Sequence, residues 1–381
     1  MIFKRNYLSD NIYHEKEIVF ITCLFWMIAK LISWKVWTAY RLFPLVPAFD
    51  FLKNLPAAYH LVLFFVSLFC LVILVIKPSV QIAVILIIAE LLSLIADQNR
   101  WQPWEYQYLF IILMFWLNIK KTKQFYLAVM FIIGSVYFYS GVSKLNPGFL
   151  YAVWNDMIIH RFLGIKTVIN SPMLYHAGYA IGLTEIVCAI GLFFKNYKKI
   201  CALVLIIMHC LNLLVLGPFG INYNLIVWPW NVAMIAYLYI FFIKFPVDNF
   251  NILVVTAGWN KLVLIFWGLL PALNFFGRWD NYLSSALYTG RIKEMVICLK
   301  NPDDTIIQSL EPFYSADYKN ICDGDKTITV TQWAINELKV PVYPERRVYL
   351  EIKKSFQRKY PSIHARFYYY SYYLDKKEEI K

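Results

Sequence analysis

Lys144 is the residue of this sequence whose type and surroundings are best suited to chemistry. Tyr137, Gly141 and Lys144 recur at i, i+4 and i+7 in an apolar stretch, so they share one face of a helix. Ser140 lies beside that face, and Gly141 lets a neighbouring backbone or a ligand come close. A lysine removed from water at such a place can act as a base. The alternative is a lysine that extends from a helix end to the membrane interface.

His209 and two acidic residues also lie in apolar stretches. His209 and Asn212 are spaced i, i+3, which predicts that they face the same side of one helix. His209 is a candidate proton carrier, and a buried structural histidine is the equal alternative. Glu90 and Glu185 lie in the middle of two other stretches and are expected to face the interior of the bundle. There they would relay protons or form hydrogen bonds to a neighbouring helix.

Polar and aromatic side chains collect at the ends of four apolar stretches, at what is predicted to be one face of the membrane. Because ionisable groups in a membrane are costly, they are treated as functional candidates, and their convergence predicts a pocket open to the outer side. The alternatives are an interfacial belt for the aromatic residues and a local ion pair or helix cap for Asp97 and Arg100. The predicted pocket residues are Asp97, Arg100, Trp101, Trp104, Tyr106, Tyr137, Ser140, Gly141, Asn146, Asn212, Asn222, Asn224, Trp228 and Asn231, with Lys144 and His209 as the catalytic candidates.

The elements that must position these residues are membrane helices. Of the 381 residues, 60% are hydrophobic and 16% are charged, against about 45–50% and about 25% in soluble domains, which excludes a soluble globular protein. A spanning helix needs about 20 apolar residues. The sequence therefore predicts an all-α membrane bundle over residues 1–280, with spans at 18–37, 58–76, 80–96, 104–118, 124–145, 173–194, 200–217, 225–243 and 261–276.

The distribution of lysine and arginine predicts the orientation of the bundle. Basic residues mark cytoplasmic loops, and Lys77, Lys120, Lys198 and Lys244 fall in alternate short loops. The N-terminus is therefore predicted to be cytoplasmic, in the plasma membrane (the inner membrane of a bacterium), and residues 281–381 to be extracytoplasmic. The net charge of +13 reflects this topology, and because the charges are scattered over loops on two sides, a nucleic-acid partner is not predicted.

Residues 281–381 are predicted to form a small α+β domain. Alternating and β-rich runs predict strands at 294–299, 327–331, 347–352 and 365–373, with helices at 335–339 and 353–358 and a frayed end at 376–381. Cys298 and Cys322 are either a disulfide, if this domain is extracytoplasmic, or two free buried thiols. A protein partner, if there is one, is expected to bind through this domain.

Several common chemistries have no signature in the sequence. It contains no phosphate-binding loop, no G-x-S-x-G and no H-E-x-x-H. The six histidines show no metal-ligand spacing, so no metal is predicted.

Three segments resemble a known family. They are Tyr137-Phe-Tyr-Ser-Gly141-Val-Ser-Lys144-Leu-Asn-Pro-Gly-Phe149, the pattern Asp97-x-x-x-Trp101-x-x-x-x-Tyr106, and His209-x-x-Asn212. Over residues 18–243 their order and spacing are similar to the vitamin K-dependent gamma-carboxylases and the horizontally transferred transmembrane (HTTM) domain. Gly141-x-x-Lys144-Leu145, followed by Glu185 one helix later, more loosely resembles small membrane proteins of the DoxX and MauE type.

The resemblance implies an extracytoplasmic pocket for a lipid-soluble quinol, in which Lys144 matches the lysine that acts as base. It also implies a histidine near Trp104 or Glu105, and a large luminal region, neither of which this sequence has, which argues against carboxylation itself. Three readings follow: an enzyme that acts on a quinone-like or lipid substrate with Lys144 as base, a non-catalytic quinone- or lipid-binding or membrane-complex assembly protein, and a transporter.

Overall fold

The described part of the chain consists mainly of long helices. A computed structural model describes residues 7–165, 171–245, 250, 252–300, 310–314 and 319–380. Within these residues a helical segment coincides with each of the nine predicted spans. The segments are α1 (Tyr7–Ile32), α2 (Ala57–Ile76), α3 (Val80–Ala96), α4 (Pro103–Leu117), α5 (Thr122–Lys144), α6 (Pro172–Gly191), α7 (Lys198–Leu216), α8 (Val227–Lys244) and α9 (Gly258–Phe276).

Six of these helices are long and apolar enough to cross a membrane: α2, α5, α6, α7, α8 and α9. They indicate an integral membrane protein. The other three fall short for different reasons. Helix α3 has 17 residues and α4 has 15, and α1 carries Glu15, Lys16 and Glu17 as well as Lys30.

Helices α4 and α5 form the centre of the bundle. Twelve of the fifteen residues of α4 are buried, and in α5 the buried residues run almost without a break from Phe125 to Tyr137. A helix that is buried on nearly every side is enclosed by the other helices of the bundle. Helices α2, α6 and α7 instead expose many large apolar side chains, as expected for surfaces that face lipid. Most side chains of α5 between Phe125 and Tyr137 are therefore held by neighbouring helices.

The C-terminal part is a four-stranded antiparallel sheet with two helices. Its strands, β1 (Glu294–Lys300), β2 (Lys326–Thr329), β3 (His364–Ser371) and β4 (Lys376–Glu379), lie in the order β2-β1-β3-β4. Two helices, α10 (Val330–Leu338) and α11 (Arg346–Lys359), complete it. Cys298 on β1 and Cys322 form a disulfide, with their Cα atoms 5.3 Å apart.

Two predictions for this part of the chain are wrong. Residues 347–352, predicted as a strand, form the start of α11, because Val348, Ile352 and Phe356 recur at four-residue intervals and bury one helical face. The predicted frayed end at 376–381 contains β4, which pairs with β3 through backbone hydrogen bonds although its side chains are exposed. Lys381 lies outside the described residues.

The C-terminal domain is docked on the loops at one end of the bundle. The carboxylate of Glu337 accepts hydrogen bonds from the backbone N–H groups of Leu42 (2.5 Å) and Phe43 (2.9 Å), in the loop after α1. In the loop after α3, Gln102 donates to the carbonyl of Pro341 (3.0 Å). Because Glu337 is buried and paired with two backbone donors, it is a strong anchor.

Candidate functional site

Two glycines bring helices α5 and α6 into backbone contact. A Cβ atom added at Gly141 would lie 2.6 Å from the carbonyl oxygen of Gly182, and one added at Gly182 would lie 2.8 Å from the carbonyl oxygen of Gly141. Only glycine fits at either position without moving a helix. Three residues after each glycine stands a charged residue, Lys144 on α5 and Glu185 on α6. The close crossing therefore decides how near these two side chains come.

Lys144 and Glu185 form a bidentate ion pair at this crossing, in which the ammonium contacts both carboxylate oxygens. The Lys144 Nζ atom lies 2.9 Å from Oε1 and 2.7 Å from Oε2 of Glu185, and 2.5 Å from the hydroxyl of Ser140. The side chains of Lys144 and Glu185 are only 12% and 8% exposed. All three N–H groups of the ammonium can thus be satisfied by the protein while the pair is nearly removed from water.

His209 lies in a second hydrogen-bonded chain beside the ion pair. Its Nδ1 atom is 2.6 Å from Oδ1 of Asn231, whose amide nitrogen donates to the carbonyl of Val227. The amide oxygen of Asn231 must therefore accept, so Nδ1 carries the hydrogen and Nε2 accepts from the hydroxyl of Tyr137 at 2.6 Å. This assignment makes His209 a neutral, oriented imidazole.

The two chains meet on α5, where Tyr137 precedes Lys144 by seven residues, about two helical turns, on the same face. Together they place an amine, a carboxylate, a phenol and an imidazole on α5, α6 and α7, all of which can give or take a proton. This constellation can accept a proton from a bound hydroxyl group and pass it on within the protein.

An apolar groove runs along the same two helices towards the other membrane face. Its volume is about 290 Å³, and its lining includes Phe131 and Phe138 of α5 with Ala189 and Phe193 of α6 and the turn after it. Ala189 follows Glu185 by one helical turn, on the same face of α6. The groove is nearly as large as the smaller ligand sites of proteins, and its apolar lining suits an alkyl or isoprenoid chain.

Arg100 and Asp97, predicted as pocket residues, are used by the protein itself. Arg100 donates to five acceptors, the carbonyls of Val36, Trp37 and Ser93, the Ser93 hydroxyl and Nδ1 of His60, which matches the five N–H groups of a guanidinium. Their distances are 2.9–3.1 Å, and Arg100 is fully buried. Arg100 therefore has no donor left for a ligand.

Asp97 caps the short helix that follows it and pairs with Arg41. It accepts hydrogen bonds from the backbone of Val46 and from Asn99. Burial alone would raise the pKa of Asp97, but the charges of Arg41 and Arg100 and these hydrogen bonds hold its pKa below the ordinary value. Trp101, next to this group, donates to the carbonyl of Leu94. Asp97 therefore serves as a helix cap and ion-pair partner, which was the alternative to a role in a pocket.

Three other predicted pocket residues lie under the C-terminal domain. Trp104 and Asn224 line a cavity of about 130 Å³ that Tyr282 and Tyr288 close from above. Asn224 donates to the hydroxyl of Tyr288, and Asn146 donates to the carbonyl of Thr289. This cavity is far smaller than the roughly 300–1,000 Å³ of a typical ligand site, so it is not a quinone-sized pocket.

The remaining predicted pocket residues lie apart from Lys144. Tyr106 stacks on Trp267 and donates to the carbonyl of Phe266, and Trp228 packs against Gly217. Asn212 is exposed on α7, and Asn222 is an exposed loop residue with a φ of 47°. His209 and Asn212 occupy neighbouring positions of α7, but the hydrogen-bond partner of His209 is Asn231.

A second buried ionic group, with Lys30 at its centre, was not recognised from the sequence. Lys30 of α1 pairs with Glu90 of α3 at 2.8 Å and lies 3.7 Å from Glu105 of α4. The sequence did contain a signal for this group, because Lys30 is the thirteenth residue of a predicted span. An ionisable residue inside a span is a functional candidate, and Glu90 was selected for that reason. Glu90 therefore belongs to this second cluster, and Glu185 belongs to the Lys144 site.

Replacing Gly141 by alanine is expected to lower the free energy of unfolding by about 1–3 kcal/mol, because the new methyl group overlaps the Gly182 carbonyl and the helices must separate. The shift of the thermal midpoint of the detergent-solubilised protein measures this. The matched control is Gly268→Ala on α9, whose nearest neighbours are side-chain atoms at 3.2 and 3.3 Å that can move. Equal effects at both positions would contradict the proposed crossing.

Comparison with known proteins identifies no relative of this chain. No family model, no curated protein and no solved structure matches it.

Proposed function

We propose that this integral membrane protein is an enzyme that removes a proton from a quinone-like or other lipid-soluble substrate, with Lys144 as the base. The observation that carries the proposal is the nearly buried pair of Lys144 and Glu185 at a crossing of two glycines. The pair is accompanied by a second proton-bearing chain, Tyr137–His209. The proposal agrees with the role that the HTTM and carboxylase resemblance implies for Lys144.

Glu185 explains how an ion-paired lysine can act as a base. Transfer of one proton from the Lys144 ammonium to the Glu185 carboxylate, across a contact of 2.7 Å, leaves a neutral amine and a neutral carboxylic acid. In a medium of low polarity the neutral pair avoids the cost of burying two charges. The amine then accepts the proton of a substrate hydroxyl group, and a quinol deprotonated in this way is ready for oxidation by an acceptor such as dioxygen.

The substrate is proposed to reach Lys144 from the lipid. The apolar groove along α5 and α6 would hold the hydrocarbon chain, and Phe138 at its upper part precedes Lys144 by six residues, about 9 Å along a helix. A polar head group would then lie near Lys144 and Ser140. The cavity under the C-terminal domain is too small for this purpose.

The topology proposed from the sequence is nine spans with a cytoplasmic N-terminus. The C-terminal domain contacts the loops after α1, α3, α5 and α7, at Phe43, Gln102, Asn146 and Asn224. At the other end of the bundle, Glu17 on α1 forms an ion pair with Lys244 on α8, and Asn118 after α4 donates a hydrogen bond to Asn260 on α9. This alternation supports nine crossings, and the Cys298–Cys322 disulfide supports an extracytoplasmic domain, outside the plasma or bacterial inner membrane.

A second candidate is a binding or assembly protein without turnover. The observation that favours it is that the Lys144 ammonium is already matched by three acceptors, Ser140 and both oxygens of Glu185. In that case the groove would hold a quinone or lipid permanently, and the C-terminal domain would bind a protein partner.

Lys144→Met is expected to lower substrate turnover at least about 100-fold, the usual contribution of a positioned base. The measurement is oxygen uptake by the purified full-length protein with a short-chain ubiquinol, combined with mass spectrometry of the lipids that co-purify. Glu185→Gln is expected to lower turnover as well, because its amide cannot take the proton. Lys195→Met, at an exposed lysine, is the matched control and is expected to behave as the wild type.

Gel filtration and the thermal midpoint establish that each variant is folded. Wild-type turnover in a folded Lys144→Met variant would reject Lys144 as the base. A wild-type protein that retains a quinone or lipid in stoichiometric amount, with no oxygen uptake, would support the binding protein instead.

A further inference from the structure

Lys30, Glu90 and Glu105 form an ionic cluster in the interior of the bundle, contributed by three different helices. The side chains of all three are at most 1% exposed. The Lys30 Nζ atom lies 2.8 Å from Oε2 of Glu90 and 3.7 Å from Oε2 of Glu105, and 3.2 Å from the centre of the Trp37 ring. Oε2 of Glu105 also accepts from Trp26 at 2.5 Å.

The charges of this cluster do not balance if both acids are ionised. One ammonium then faces two carboxylates, and Arg100, the other cation close to Glu90, directs all five of its N–H groups to other acceptors. A carboxylate without a hydrogen-bonded cation in a region without water contact is very unfavourable, and a carboxylic acid avoids this state by keeping its proton. Both acids lie beside the same ammonium, so the proton kept by one affects the other.

Unpartnered polar atoms point to the same conclusion. Oε1 of Glu90 and Oε1 of Glu105 are buried and accept no hydrogen bond from the described residues, and the same holds for the hydroxyl of Tyr108, one turn along α4 from Glu105. An acid proton on either glutamate is the donor that these oxygens lack. The other groups that face the cluster are Arg100, which is saturated by five acceptors, and the thiol of Cys70, both close to Glu90.

We propose that Lys30, Glu90 and Glu105 form a proton-binding site that holds a single proton, shared between the two carboxyl groups, at neutral pH. The lysine pairs with one acid and the proton stays on the other. The two Lys30–carboxylate distances differ by less than 1 Å, so a small movement of the ammonium exchanges the paired acid with the protonated one. The site is independent of Lys144 and of the proposed enzymatic function.

The test is infrared spectroscopy of the full-length purified protein at neutral pH, in H₂O and in D₂O. A protonated carboxyl group has a C=O stretching band that is separate from the amide bands and shifts on deuteration. The wild type is expected to show a band of one carboxyl group that is lost in Glu90→Gln and equally lost in Glu105→Gln, because Lys30 then has a single acid to pair with. Glu185→Gln is the matched control and is expected to retain the band.

The double variant Lys30→Met/Glu90→Gln reverses the expectation. Glu105 then has no cation beside it and must be protonated, so the band of one carboxyl group is expected to return, although Glu90→Gln alone abolishes it. Absence of the band from the wild type would overturn the proposal. Loss in only one of the two single variants would also overturn it, since the proton would then belong to one residue and not to the pair. If a single variant does not fold, the wild type is compared with the double variant Lys30→Met/Glu105→Gln. Carboxylic acid bands of equal intensity in both proteins support the site, and absence of the band from both rejects it.

Discussion

Arg100→Met is expected to lower the free energy of unfolding by about 3–5 kcal/mol, the range measured when one partner of a buried ionic group is removed. Among the described residues, the change leaves the buried carbonyls of Trp37 and Ser93 without donors, while the carbonyl of Val36 keeps Arg41, and each unsatisfied group costs about 1–3 kcal/mol. It also removes one of the two cations beside Asp97. Thermal and denaturant unfolding of the detergent-solubilised protein measures the effect.

Arg100→Lys separates charge from geometry in this prediction. A lysine has three N–H groups and no planar fork, so it can satisfy at most three of the five acceptors. We expect it to recover only part of the stability. The matched control is Arg358→Met, whose side chain is 63% exposed, with an expected change within about 0.5 kcal/mol. If Arg100→Met unfolded at the same midpoint as the wild type, the five hydrogen bonds would contribute little net stability.

Lys30→Met is expected to lower the free energy of unfolding by a similar amount, about 3–5 kcal/mol, because Glu90 and Glu105 lose the only cation that is paired with them among the described residues. Both acids must then take up protons, so the loss is expected to be smaller at acidic pH than at neutral pH. The measurement is the unfolding midpoint of the wild type and the variant over a range of pH.

The double variant Lys30→Met/Glu90→Gln gives the control for that prediction. It removes the ion pair as a unit and leaves Glu105 as a neutral acid, and replacing a buried pair by neutral groups is often close to neutral in stability. We therefore expect it to be more stable than Lys30→Met alone. Strictly additive effects of the two substitutions would mean that Lys30 and Glu90 are not energetically coupled.

The existence and approximate positions of the helices follow from local properties of the sequence, although α1 begins at Tyr7, eleven residues before the predicted span. A run of apolar residues of sufficient length must be enclosed by lipid or by other helices with its backbone bonded internally, so all nine predicted segments coincide with helical segments among the described residues. The alternation of apolar residues likewise predicted β1 and β3. Residues 347–352 were misread because β-branched and aromatic residues occur in both kinds of element, and only the spacing of Val348, Ile352 and Phe356 distinguishes them.

Which polar groups meet was decided by the tertiary structure alone. The helix face of Tyr137, Gly141 and Lys144 is visible in the sequence, but its pairing with Glu185 depends on Gly182, on a helix about 40 residues away. Arg100 is saturated by residues that precede it by as much as 64 positions. The sequence by itself determined where charges enter the membrane; which opposite charge each one finds depends on how the helices pack, because a buried ionic group is stabilised by partners whose distance along the chain is arbitrary.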